Sequence, residues 1–177
     1  SPLPRGTTLG LNFNRVSDDN YWRDFARADT GLAQRLLLNE ASLAWTQGAW
    51  FAQARTVAWQ TLQDPAAPIV PPYDRLPQLL ARYTRGLAGG LVGQVEADFT
   101  RFQSQPVLTR QPNGDRSYLM ATLSRNWQAP GWFLRPRLRL DATQYQLDSP
   151  LADGRTSAQR ALPTFSLDSG LVFERDT

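Results

Sequence analysis

Two groups of charged residues have the type and spacing to do chemistry. Glu96 and Asp98 are two apart, which in an extended chain puts both carboxylates on one face, an arrangement that acid–base catalysis uses. Arg135, Arg137 and Arg139 alternate in the same way. They would present three guanidiniums on one face, each able to grip a phosphate or a carboxylate through paired N–H bonds. The usual catalytic helpers are missing. The 177 residues include no Cys and no His, which removes thiol nucleophiles, disulfides, imidazole bases and zinc sites built on those side chains. With no third group to complete a hydrolase, Glu96 and Asp98 read as wall carboxylates, and we assign no catalytic residue, metal or cofactor. The simplest role for the three arginines is to pair with such carboxylates, Glu96 and Asp98 among them; the alternative is contact with an anionic ligand or partner. Asp18, Asp19, Asp24 and Asp29 are not spaced as a calcium loop and read as a polar surface segment. Gly89-Gly90 lacks the Lys and the helix of a phosphate loop.

Composition narrows the partners. Every one of the 19 basic residues is Arg, but the net charge is only +3, too small to argue for nucleic acid. Hydrophobic residues make up 41% and mean hydropathy is −0.44. No stretch approaches the roughly 18 consecutive apolar residues of a spanning helix. That leaves a transmembrane β-barrel open, because there only alternate residues face lipid. The N-terminus, Ser1-Pro2-Leu3-Pro4-Arg5, shows neither a start Met nor a signal peptide, as expected of a processed chain or a piece of a longer one.

The elements that must carry these residues are strands. Eight segments of alternating or β-rich character fall near 7–16, 32–45, 50–61, 76–85, 91–103, 116–127, 132–147 and 161–173. In 91–100, Leu91, Gly93, Val95, Ala97 and Phe99 take one face and Gln94, Glu96, Asp98 and Thr100 the other. Near 134–142, Leu134, Leu138, Leu140 and Ala142 oppose the three arginines and Asp141. Phe165, Leu167, Leu171 and Phe173 oppose Thr164, Ser166 and Asp168. Leu32 to Trp45 carries Leu on both faces and Asn39 on the apolar side, so a helix competes with a strand there.

The links alternate in length. Short ones carry Gln47-Gly48, Gly86 with Gly89-Gly90, and Pro130-Gly131; long ones carry Asp64-Pro65, Pro71-Pro72, Pro112-Asn113-Gly114-Asp115 and Asp153-Gly154. Outer-membrane barrels pair short periplasmic turns with longer outer loops in this way. The segments, at about 10–16 residues, exceed the soluble norm of about 5–6 and suffice for a tilted membrane strand. Trp45 and Trp50 flank the first short turn, and Trp127 and Trp132 flank the third, as half of an aromatic girdle at a membrane interface would. Capping of soluble hairpins by aromatic residues is the competing explanation. The expected fold is therefore all-β: a segment of an antiparallel transmembrane β-barrel, about eight strands in an up-and-down meander.

Two terminal runs carry a resemblance. Leu9-Gly10-Leu11-Asn12-Phe13-Asn14-Arg15-Val16 leads into Ser17-Asp18-Asp19-Asn20-Tyr21-Trp22-Arg23-Asp24-Phe25, a strand ending in a Ser-Asp-x-x-Tyr-aromatic-x-Asp-aromatic loop. Leu162-Pro163-Thr164-Phe165-Ser166-Leu167-Asp168-Ser169-Gly170-Leu171-Val172-Phe173-Glu174-Arg175-Asp176 is the second. Both resemble the LPS-assembly protein LptD family, also called the organic-solvent-tolerance family, and residues 76–145 follow the same order more loosely. The resemblance implies a location in the bacterial outer membrane and a large barrel preceded by a periplasmic jellyroll. It implies lipopolysaccharide as the substrate, received from the periplasmic bridge protein LptA and placed in the outer leaflet. It also implies the lipoprotein LptE as a plug inside the barrel. Residues 1–177 would then be a portion of one barrel domain, without the jellyroll, the remaining strands and the family's disulfide cysteines. Two other readings remain: a complete eight-stranded barrel with a structural or adhesion role, and a soluble β-sandwich binding module. The first lacks a terminal aromatic, since the chain ends Glu174-Arg175-Asp176-Thr177, and the second has strands that are too long.

Overall fold

The computed structural model describes residues 5–17, 35–64 and 66–173. The loop aspartates Asp18, Asp19, Asp24 and Asp29 lie outside the described residues, as does the tail 174–177. The strands are β1 (Thr7–Asn12), β2 (Leu36–Gln47), β3 (Trp50–Thr61), β4 (Asp74–Gly86), β5 (Leu91–Gln103), β6 (Gly114–Arg125), β7 (Trp127–Ala129), β8 (Trp132–Leu147) and β9 (Ser157–Leu171). All pair antiparallel with their neighbours in a single sheet. The short β7 continues the register that β6 keeps against β8, since Ser124 faces Arg137 and Trp127 faces Leu134. Nine assigned strands therefore make the eight lanes expected from the alternation. Among the described residues, the outer edges of β1 and β9 are unpaired and the sheet does not close.

Most segments match expectation closely. The first strand is shorter than expected, ending at Asn12 rather than 16. Beyond it Asn14 bonds to the Asn39 side chain and to the Leu38 carbonyl instead of extending the ladder. The contested second segment is a strand over Leu36–Gln47, with residues 32–34 outside the described part. Its partner β3 matches it residue for residue from Thr61 to Trp50, and a helix could not meet that ladder. In β4 the register slips between Arg75 and Gln78 against both flanking strands. Pro77 sits in that slip, where a residue without an N–H is tolerated.

The sheet is inverted relative to a soluble one. Asp98 and Thr100 are buried, at 7% and 0% exposure, on the face that carries the charges. On the opposite face Val95, Phe99, Leu119, Leu138, Leu140, Phe165 and Leu167 are exposed. A β-sandwich would cover that apolar face with a second sheet, whereas the described strands form one sheet only. Single exposed leucines are ordinary, but a continuous apolar face on every lane needs an apolar solvent or a partner. The three short links, at 48–49, 87–90 and 130–131, lie at one end, and the long ones at the other. Gly131 turns the last of the tight links at φ +85°, a conformation that suits glycine.

Candidate functional site

Opposed residues on neighbouring strands share a face, so the register assembles the polar wall row by row. Glu40 on β2 takes Arg55 of β3 at 2.9 Å. Asp98 on β5 accepts from Gln78 Nε2 at 3.0 Å, Thr100 Oγ1 at 2.9 Å and Arg116 Nη2 at 2.9 Å. Glu96 accepts from Arg82 Nε at 2.6 Å, and the same guanidinium lies 5.7 Å over the Phe51 ring. Asp141 on β8 is held by the Tyr118 hydroxyl and by two bonds of 2.7 Å from Arg139, whose Nη2 also donates to Tyr118 at 3.2 Å. Arg135 donates to Asn126 at 3.2 Å and stands 3.6 Å from Asp168. The Phe133 ring supports it from below at 4.5 Å and packs over Gly170, where any side chain would collide with that ring.

The paired carboxylates do share a face, and neither is free to act as an acid or base, because each is bound to an arginine of a neighbouring strand. The expectation that the three arginines pair with wall carboxylates holds for Arg135 and Arg139, but their partners are Asp168 and Asp141 rather than Glu96 and Asp98. The whole of β6 separates β5 from β8, so the two groups stand about 10 Å apart, two strand spacings. The arginines instead take Asn126, Asp168, Asp141 and Tyr118, or, for Arg137, no side chain among the described residues. Arg82, Arg116, Tyr118 and Arg160 belong to this wall but were not singled out from the sequence. Their parity relative to Glu96 and Arg139 was the signal, legible only once strand pairing is known.

The four tryptophans end up together. Trp45 opposes Ala52, Trp50 opposes Tyr83, Trp127 opposes Leu134 and Trp132 opposes Leu171, which puts all four on the apolar face at the short-turn end. Trp50 and Tyr83 stack with centroids 4.6 Å apart, and the Arg125 guanidinium covers Trp127 at 4.4 Å. At the other end the apolar face stops at Arg101, which bonds Asp115 at 3.2 Å and grips Asp148 with both Nη atoms. Asp148 lies just past β8, and these bonds from Arg101 hold its carboxyl below the usual carboxylate range. Between these limits, Gly93 to Arg101 on β5 spans roughly 20 Å of height at a 40° tilt, and Trp132 to Gln144 on β8 roughly 30 Å.

Comparison with known proteins decides the family. The family model for LptD, described as LPS transport system D, matches residues 4–177. The chain belongs to the LptD family. It is 58% identical, over 97% of its length, to the LPS-assembly protein LptD of Albidiferax ferrireducens, and 54% identical to that of an Acidovorax species over 97%. The LptD of Ralstonia nicotianae is 39% identical over 99% of the chain. In each case the chain spans 22% of the relative's length. The family assignment agrees with the terminal motifs and with an all-β antiparallel meander.

Proposed function

We propose that residues 1–177 form part of the wall of an LptD barrel in the bacterial outer membrane, within a translocon that inserts lipopolysaccharide into the outer leaflet. The observation that carries this reading is the inverted sheet, apolar outside and ion-paired inside, in a chain of this family. The apolar face meets lipid, since an Arg turned to the bilayer centre costs about 2–4 kcal/mol. Trp45, Trp50, Trp127 and Trp132 then sit at the periplasmic interface, where an indole has both apolar and polar surroundings. Arg101, Asp115 and Asp148 mark the outer boundary.

The polar face lines the lumen. Arg135, Arg137, Arg139, Glu96 and Asp98 are its candidate contacts with lipopolysaccharide or with the plug lipoprotein LptE. Supply of the substrate by LptA runs through a jellyroll belonging to the rest of the protein. This stretch carries no catalytic role. Its two open edges need neighbouring strands, so it does not transport alone.

The test replaces Arg135, Arg137 and Arg139 by Gln in the full-length parent protein and measures lipopolysaccharide at the cell surface together with LptE retention. Reduced surface delivery or loss of LptE is expected; unchanged delivery with full retention removes the contact role.

A further inference from the structure

Every carboxylate of the described polar wall already has an arginine: Glu40 has Arg55, Glu96 has Arg82, Asp98 has Arg116, Asp141 has Arg139 and Asp168 has Arg135. Arg137 is left over, exposed and without a side-chain partner among the described residues. What flanks it is specific. Ser124 stands opposite it on β6 and Ser166 opposite it on β9, and neither hydroxyl has a partner among the described residues. The three side chains open onto a depression of about 480 Å³ shared with Asn126, Arg135 and Asp168. The next row outward repeats the pattern, with Thr122 and Thr164 on either side of Arg139.

From this we propose that Arg137, with Ser124 and Ser166, binds a phosphate group of the glycolipid as it passes along the wall. The inference rests on the lumen reading given above. A guanidinium donates two parallel bonds to a phosphate, and a third oxygen remains for a hydroxyl. The serines lie about 5 Å to either side, one strand spacing each, so Arg137 can swing toward whichever hydroxyl shares the anion. Threonine hydroxyls in the next row suit the sugar to which such a phosphate is attached. A protein partner is a poorer match. Apart from Val92, the polar-face side chains around the depression are hydroxyl, amide or charged, which offers no dry pocket for an anchoring side chain. Arg160, also without a carboxylate, lies six residues before Ser166 and faces Thr143, roughly 20 Å farther along the same lane.

The experiment uses the full-length parent protein with its partner proteins in lipid vesicles. It carries a photoreactive p-benzoylphenylalanine in place of Val92, which lines the depression without belonging to the proposed site, or, in a second preparation, of Thr143. Lipopolysaccharide is the probe, intact or stripped of its phosphates. Illumination is expected to yield a lipopolysaccharide adduct at position 92. That adduct should fall about tenfold with Arg137→Gln, the loss of one charge-assisted contact, and recover in part with Arg137→Lys. The stripped glycolipid should give little adduct at 92 with any variant. Adducts at 92 that are insensitive to Arg137→Gln, that persist with the stripped glycolipid, or that join only to protein overturn the site. Adducts at 143 together with any of those results leave the lumen reading standing; no adduct at either position removes both. The heat-dependent gel mobility of the folded barrel, measured for each variant, separates loss of contact from loss of fold.

Discussion

Replacing Leu138 by Arg tests which solvent the apolar face meets. Leu138 is 54% exposed and lies midway along the outward lane of β8, six residues from Trp132 and six from Gln144. Six residues at about 3.3 Å and a tilt near 40° give roughly 15 Å on either side, which would put Leu138 close to the midplane of a bilayer that the sheet spans. With so much of its surface free of protein contacts, Leu138→Arg in water would change stability by no more than about 0.5 kcal/mol. In lipid the same change costs about 2–4 kcal/mol, while Gln144→Arg, near the interface, costs about 0–1 kcal/mol. A gap of about 2 kcal/mol between the two variants is roughly a thirtyfold difference in the folded-to-unfolded ratio. The assay is the fraction of the parent barrel folded in lipid vesicles across a urea series, with Leu138→Ala reporting lost packing. If Leu138→Arg and Gln144→Arg shift the midpoint equally, the outward face does not cross a bilayer and the whole placement is refuted.

Four further outcomes follow from particular contacts. Asp98→Asn should destabilise by roughly 2–3 kcal/mol in the same titration, because it strips the charge from a carboxylate holding Gln78, Thr100 and Arg116; the value falls below the fully buried range since Arg116 keeps 32% exposure. Glu96→Gln should cost less, as Arg82 is 43% exposed; the reverse order would show that burial does not govern this wall. A double-mutant cycle on Trp50→Ala and Tyr83→Ala should return a coupling of about 0.5–1.5 kcal/mol from their tilted stack, and additivity would deny the contact. Asp148 is held below its ordinary range by Arg101, so its stabilising contribution is complete above the unfolded value of about 3.9 and is lost as pH falls through the lower folded value. Amide exchange in the link between β8 and β9 should therefore quicken below about pH 4, and Asp148→Asn should show the quickened rate at neutral pH.

The lanes of the sheet were legible in the sequence because period two survives in it. Val95, Ala97 and Phe99 against Glu96 and Asp98, and Leu138 and Leu140 against Arg137 and Arg139, state both faces without knowledge of any partner strand. Turn chemistry located the tight ends equally well, at Gln47-Gly48 and Pro130-Gly131. The second strand was ambiguous for a physical reason: Asn39 on the outward face bonds the backbone of Asn14, a tertiary contact that no local pattern encodes. The site was half legible. Face membership of Glu96, Asp98 and the three arginines follows from alternation, but who pairs with whom depends on register. Register depends on the length of each link and on the slip at Arg75–Gln78, and no periodicity announces either.

That dependence explains why Arg137, like Arg75 and Arg160, has no carboxylate among the described residues. An antiparallel wall places each polar residue between two opposed neighbours and a few diagonal ones, so a cation is neutralised only when the register brings a carboxylate into one of those positions. Arg82 meets Glu96 directly opposite, and Arg116 reaches Asp98 diagonally. Arg139 takes Asp141 from its own strand, two residues on, and Arg135 has Asp168 directly across. For Arg137 both opposed positions are serine, and the carboxylates nearest along β8 and β9, Asp141 and Asp168, are already engaged by Arg139 and Arg135. Among the described residues, a wall whose carboxylates are all matched thus leaves a charge on its polar face beside two serine hydroxyls without a partner, and an anion supplied from outside the wall is what would complete it.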